Sequence, residues 1–318
     1  MPLLRINAGD AAPALGGVAD RDAGLAGHLA ALPPGAPVVI LIHGYKFSPA
    51  APRHDPHRHI LSLSPKPGCR KAISWPRHLG FGRGAGDEGL CIAFGWEARG
   101  SVWRAWRRAA QAGGGLADLV ARIGRLRPGP VDILCHSLGA RVALCALERL
   151  PAHSIGRMVL LAAAEFQSGA RRAMSSPAGR SAEVINIVSR ENDLFDGVVE
   201  WLLRAPQPGD RALGAGLGLD RQGAPRNWLD VQIDCPSSRR ALAEFGYRIP
   251  PPARRICHWS AYLRPGLFAF YRDLLRRRHA LPLACLRHVL PGQPSPRWSR
   301  LWPGHFQGRT RLGPCPSG

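Results

Sequence analysis

The stretch VDILCHSLGARVALCALERL, Val131 to Leu150, changes its period halfway along. Val131 to Leu134 is a short apolar run with two β-branched residues, whereas Ala140, Ala143, Leu144, Leu147 and Leu150 recur at helical spacing. Ser137 therefore sits where a strand gives way to a helix. A side chain there stands at the carboxyl end of the strand, beside the free N–H groups and positive dipole end of the helix, where developing negative charge is stabilised. That is a place for a nucleophile.

Outward from this junction, strand and helix patterns alternate. PVVILIHG (37–44) and GLCIAFGW (89–96) are continuous apolar runs of the kind buried on both faces, and residues 101 to 126 have a helical period. GRMVLLAAAEF (156–166) and EVINIVS (183–189) supply further strands around a short helix near 168 to 176, and ICHWSAYLRPGLFAFYRDLLRR (256–277) supplies a closing helix. The succession predicts an α/β fold, a mostly parallel central sheet with helices on both faces. PLLRINAG (2–9) fits an edge strand within an N-terminal edge segment, 1–35, and the main domain spans 36–278. Within it, residues 45–88 lack a clear period. Residues 197–257 read as an insertion with a helix, a Gly-rich stretch and a strand WLDVQID (228–234), so both segments are expected to form loops or a lid. From 279 to 318 the chain is rich in Pro and Arg and is expected to be a poorly ordered tail.

The 318 residues, 45% of them hydrophobic, suffice for a packed core. No apolar run reaches the ~18 residues needed to cross a bilayer, and the start MPLLRINAGDAAPALGG lacks a basic segment followed by an apolar signal core, so a cytoplasmic location is expected. Eight scattered cysteines with no C-x-x-C pair indicate neither a disulfide framework nor a zinc site. The net charge of +21 invites a phosphate-binding reading, but 40 of the 43 basic residues are arginines in a chain also heavy in Ala, Gly and Pro, a bias that reflects coding composition. With no dense basic block beyond Arg276–Arg278 and no nucleic-acid motif, no specific nucleic-acid partner is expected, and at most weak peripheral contact with anionic surfaces. Oligomeric state is not legible.

CHSLG (135–139) resembles the G-x-S-x-G nucleophile elbow of the α/β-hydrolase fold superfamily, and LIHGY (41–45) resembles the histidine–glycine oxyanion loop of that superfamily. The order also fits, with the nucleophile first, an acid in SRENDLFD (189–196) and a histidine in CHWS (257–260) near the end. The arrangement is similar to uncharacterised bacterial hydrolases with an HGY loop, over roughly residues 36 to 278. Cys135 departs from the pattern by replacing the first glycine of the elbow, while Gly139 is retained. Small residues are needed there because the elbow crowds its flanks, and cysteine is small.

The resemblance implies acyl transfer. Ser137 would attack an ester, thioester or amide carbonyl, His258 would carry the proton, and a carboxylate would hold the imidazole tautomer. Asp193 is favoured as the acid because it follows its strand directly, with Asp196 as the alternative; Asp193 also suits an N-cap, since the apolar periodic run Leu194, Val198, Trp201, Leu202 begins after it. The backbone N–H groups of Leu138 and Tyr45 would form the oxyanion hole. The scheme needs no cofactor and no metal, and its partner is a small-molecule acyl substrate. The expected activity is that of a carboxylesterase or lipase-like enzyme. An acyltransferase or thioesterase with the same triad, or a non-catalytic binding protein of this fold, remain open.

Other conspicuous residues have plainer readings. His136 packs beneath the elbow, His43 braces the oxyanion loop, and His54, His57 and His59 lie in a Pro-containing loop without a firm carboxylate partner. Trp96, Trp103 and Trp106 are spaced to bury a helix and its preceding strand.

Overall fold

Val38–Ile42, VVILI, has no polar alternation, and all five residues are buried, as a strand covered on both faces must be. A computed structural model describes residues 3–10, 18–217, 224–291 and 295–302 of the chain. Its strands are β1 (Leu3–Asn7), β2 (Val38–Ile42), β3 (Leu90–Gly95), β4 (Val131–His136), β5 (Ile155–Leu161), β6 (Glu183–Val188) and β7 (Trp228–Gln232). They form one seven-stranded sheet of order β1-β3-β2-β4-β5-β6-β7, and every neighbouring pair is parallel. The chain is thus of the α/β class.

The helices are α1 (Val18–Ala30), α2 (Trp75–His78), α3 (Val102–Leu126), α4 (Leu138–Leu147), α5 (Gln167–Met174), α6 (Pro177–Ser181), α7 (Asp193–Leu203), α8 (Pro236–Glu244), α9 (Ser260–Leu263), α10 (Leu267–Arg276) and α11 (Leu283–Val289). Alternate strand residues feed two cores. Ile40, Ile133 and Leu160 face α3 and α4, meeting Leu116, Ile123 and Leu144, whereas Val39, Leu134 and Val159 face the other way, toward Trp75, Phe81, Phe270 and Leu274. No described helix is long and apolar enough to cross a membrane.

Three segments differ from the sequence reading. Residues 45–88 have only short helical pieces, yet Ile60, Leu61, Trp75, Leu79 and Phe81 are built into the second core. An aperiodic segment can still bury its apolar side chains when the sheet supplies the surface. Within 197–257, β7 is a full member of the sheet, pairing with β6 from Val184↔Trp228 to Val188↔Gln232, so this segment extends the body of the fold. Beyond 278, Leu283 and Leu286 of α11 and Leu290 just after it are buried against the second core, and Arg287 donates to the Trp228 carbonyl at 2.5 Å. The rest of the expected tail, 303–318, lies outside the described residues, as do 11–17 of the N-terminal segment and 218–223 of the Gly-rich stretch.

The strand order places the site. The chain steps from β2 back toward β1 to lay down β3, then crosses β2 to lay down β4 and continues outward. The loops leaving β2 and β4 therefore diverge, and a crevice outside the carboxyl ends of such a pair is where open α/β sheets bind ligands. His43, Gly44 and Tyr45 follow β2, and Ser137 follows β4.

Candidate active site

Ser137 has φ 54° and ψ −123°, a left-handed conformation that a side-chain-bearing residue avoids. Such a residue stores on the order of 1–3 kcal/mol and persists only where its surroundings over-determine it. Here its N–H donates to the Leu161 carbonyl at 3.0 Å, and its carbonyl accepts from Ala140 and Ala164 N–H groups at 3.0 and 3.1 Å. The β2 loop is pressed onto this turn. A Cβ on Gly44 would lie 2.8 Å from Ser137 Cβ, and one on Gly139 would lie 2.7 Å from the His43 carbonyl oxygen and 2.8 Å from that of Ile42. Only glycine fits at either place. Cys135 instead turns inward, fully buried with its Sγ 3.8 Å from the Val159 carbonyl, so its side chain occupies core space and leaves the elbow clear.

The N–H of Leu138 opens α4, and that of Tyr45 lies one residue beyond the Gly44 contact. Neither donates a hydrogen bond among the described residues. The Tyr45 phenol donates to the Gly100 carbonyl at 2.6 Å, which ties the loop to the start of α3.

Three ties bring His258 to the same end of the sheet. The preceding Cys257 N–H donates to the Glu191 carbonyl at 2.9 Å, His136 Nε2 donates to the His258 carbonyl at 3.1 Å, and His258 Nδ1 lies 2.6 Å from Asn192 Oδ1. Its ring is enclosed by His136 and Phe195, each with centroid 4.7 Å away. This enclosure, with His136 and Lys71 alongside, holds the imidazole pKa well below 6.5. Among the described residues the Ser137 hydroxyl makes no hydrogen bond, to His258 or to any other group.

The oxygen facing His258 Nδ1 belongs to Asn192 and not to Asp193, the acid favoured from the sequence, nor to Asp196. Asn192 closes a short 3₁₀ turn, Arg190–Asn192, and Asp193 begins α7. One residue further along a helix is a rotation of about 100°, enough to aim Asp193 elsewhere. Its buried carboxylate accepts the Trp298 N–H at 2.6 Å and pairs with Arg190 at 3.2 Å. Burial raises its pKa despite these partners. Asp196 stands behind the histidine's partner and accepts the Asn192 Nδ2–H at 2.9 Å. Wholly buried, with one oxygen packed against Gly214, its carboxyl is raised to about 7, chiefly by loss of solvation.

The sequence offers carboxylates on either side of this position, and Asn192 carries no motif that marks it out. A side-chain amide oxygen is nonetheless a hydrogen-bond acceptor, and here it faces Nδ1. Four other histidines have partners of their own. His43 donates from Nδ1 to the Gly44 carbonyl at 2.9 Å and accepts the Trp96 N–H on Nε2 at 3.0 Å, and its burial lowers its pKa to about 3. His136 is likewise lowered to about 4 by burial. His57 meets Asn7 Oδ1 at 2.8 Å, and His59 Nε2 lies 3.4 Å from Cys69 Sγ. At the opposite end of the sheet a cleft of about 830 Å³ is lined by Asp132, Arg157, Glu183 and Arg278, but these charges answer one another, with Arg157–Glu183 at 2.5 Å and Arg278–Asp132 at 3.5 Å.

No protein-family profile matches the chain, and no curated protein matches it. Among solved structures it is similar to the lipase BlEst2 of Bacillus licheniformis in its propeptide form, with 11% identity and a TM-score of 0.34 over 54% of this chain; it spans 41% of the length of that lipase. It is also similar to a "putative thioesterase" from Silicibacter sp. TM1040, with 17% identity and a TM-score of 0.28 over 57% of this chain and 79% of that one.

Proposed function

We propose that this protein is a serine hydrolase that cleaves an ester or thioester of a small acyl substrate through Ser137, His258 and Asn192. The observation that carries the reading is the backbone of Ser137, held at φ 54° on a strand-to-helix turn at the switch point of a parallel sheet. Such strain, over-determined by its neighbours, supports a functional role for the side chain it displays.

In this mechanism the Ser137 oxygen attacks the acyl carbonyl as His258 Nε2 takes its proton. The Nδ1–H of the same ring remains on Asn192 Oδ1, which fixes the tautomer. The tetrahedral oxyanion accepts from the N–H groups of Leu138 and Tyr45, and losing one such donor raises the barrier by roughly 3–4 kcal/mol. His258 returns the proton to the leaving alcohol or thiol, and water then attacks the acyl-serine by the reverse sequence. Substrate binding closes the Ser137–His258 hydrogen bond, since catalytic contacts in free enzymes are often open.

A fluorophosphonate probe should label Ser137, and Ser137→Ala should lower p-nitrophenyl butyrate hydrolysis by at least roughly a thousandfold without changing the melting temperature. Hydrolysis by the variant at the parent rate would remove Ser137 from the mechanism. Acyl transfer to an added alcohol or thiol, measured in the same assay, distinguishes a transferase from a hydrolase.

A further inference from the structure

Helix α7 packs Val199 against the first core, yet it also buries acids and leaves an apolar stripe in the open. Its acids Asp193 and Asp196 are buried, while Leu194, Val198 and Trp201, one stripe at spacings of four and three, are 43%, 43% and 79% exposed. A surface helix ordinarily presents the opposite arrangement, with the apolar stripe inward. The stripe continues onto neighbouring elements. Trp103 of α3, 49% exposed, donates its indole N–H to the Leu202 carbonyl at 2.8 Å. Trp298 lies over Gly197, and Trp302, 56% exposed, stands 5.8 Å from Trp298. Between Leu194, Val198, Trp201 and Trp298 the surface dips into a recess of about 590 Å³. A contiguous apolar patch of this kind marks an interaction surface.

The rim is basic. Arg104 and Arg107 on α3 and Arg204 at the end of α7 are exposed, and Arg300 reaches the Arg254 carbonyl at 3.0 Å, placing Arg254 and Arg255 on the same side as Trp302. Glu200, the remaining acid of α7, is neutralised by Arg297 at 2.8 Å.

We propose that this face docks on an anionic lipid bilayer. Tryptophan favours the boundary between headgroups and acyl chains, because its ring is apolar and its N–H is not, and arginines around it meet anionic headgroups. Each such arginine strengthens binding by roughly fivefold. A second copy of this chain is a poorer occupant, since two basic rims would face each other in a chain of net charge +21. Phe195 of the same helix lies against His258, so the docking helix adjoins the candidate active site. The docking itself does not depend on the chemistry assigned to Ser137.

The test is co-sedimentation of the full chain with vesicles of phosphatidylcholine alone and of phosphatidylcholine mixed with phosphatidylglycerol, at low and high salt, beside light scattering of the free protein. The expected result is a monomer that binds the mixed vesicles at least tenfold more tightly and releases with salt. Val198→Ser with Trp201→Ser should lower that binding by roughly tenfold or more, and so should Arg107→Glu with Arg204→Glu, each at unchanged melting temperature. Equal binding to both vesicle types overturns the proposal, as does full binding by the serine variant. A dimer that Trp201→Ser dissociates would assign the face to a second copy and overturn it as well.

Discussion

His258 Nδ1 and Asn192 Oδ1 are 2.6 Å apart, and the amide of Asn192 is itself held by its Nδ2–H, which donates to Asp196 Oδ1 at 2.9 Å. With the NH₂ engaged by a carboxylate, the amide oxygen must face the imidazole, so Nδ1 carries the proton and Nε2 is the free base. An uncharged residue can thus set the tautomer through a buried acid placed one hydrogen bond further away.

Replacing Asn192 with Ala should lower kcat by roughly 10²- to 10⁴-fold with little change in KM, because the imidazole loses its orienting acceptor. Asp193→Asn should leave kcat within a few-fold and lower the melting temperature, since its carboxylate holds Trp298 and Arg190. Steady-state kinetics on the two variants decides between them; the reverse pattern would return the orienting role to Asp193.

The pH–rate profile follows from the depressed pKa of His258, which must be neutral to act as a base. The acidic limb of kcat/KM should therefore lie below pH 6.5, the ordinary value, and activity should be flat above it. Lys71→Ala removes one of the groups that disfavour the imidazolium and should move that limb toward higher pH. A limb at or above pH 6.5 in the parent protein would contradict this.

Asp196 makes stability depend on pH in the opposite sense to a salt-bridged acid. Its folded pKa is about 7 and its ordinary value 3.8, so between these the folded state binds the extra proton and stability falls as pH rises. Asp196→Asn has nothing to titrate, and an amide can still accept from Asn192. The stability of the variant relative to the parent should therefore increase by about 2 kcal/mol between pH 5.5 and pH 7. Urea denaturation at the two pH values measures it.

Truncation after Arg278 should destabilise the protein by at least about 4 kcal/mol, given roughly 1.5–3 kcal/mol for each of the buried leucines of the lost helix and its end. Leu283, Leu286 and Leu290 cover the second core, and the same cut removes the Trp298 N–H from Asp193. Thermal melting of the truncated chain tests this; an unchanged midpoint would show the segment to be dispensable.

The order of strands and helices was legible in the sequence because the buried strands read as short unbroken apolar runs and the helices as 3.6-residue repeats, and Ser137 could be placed at the break between the two patterns. The resemblance of LIHGY and the chain order of nucleophile, acid and histidine, and not periodicity, led to the loops holding His43 and His258. What lay beyond them required tertiary structure. Asn192 and Asp193 differ by one step along the chain, and only the packed turn decides which of them meets a histidine 66 residues away. The run Leu194, Val198, Trp201 announced a helix, but a hydrophobic stripe specifies only that one face differs from the other; the burial of Asp193 and Asp196 among Arg190, Arg297 and Asn192 turned that stripe outward. Likewise β7 joins the sheet and α11 covers the core because strand edges and exposed apolar faces created by distant residues were there to receive them. Periodicity is local, whereas the partner that satisfies each face is chosen by the whole fold.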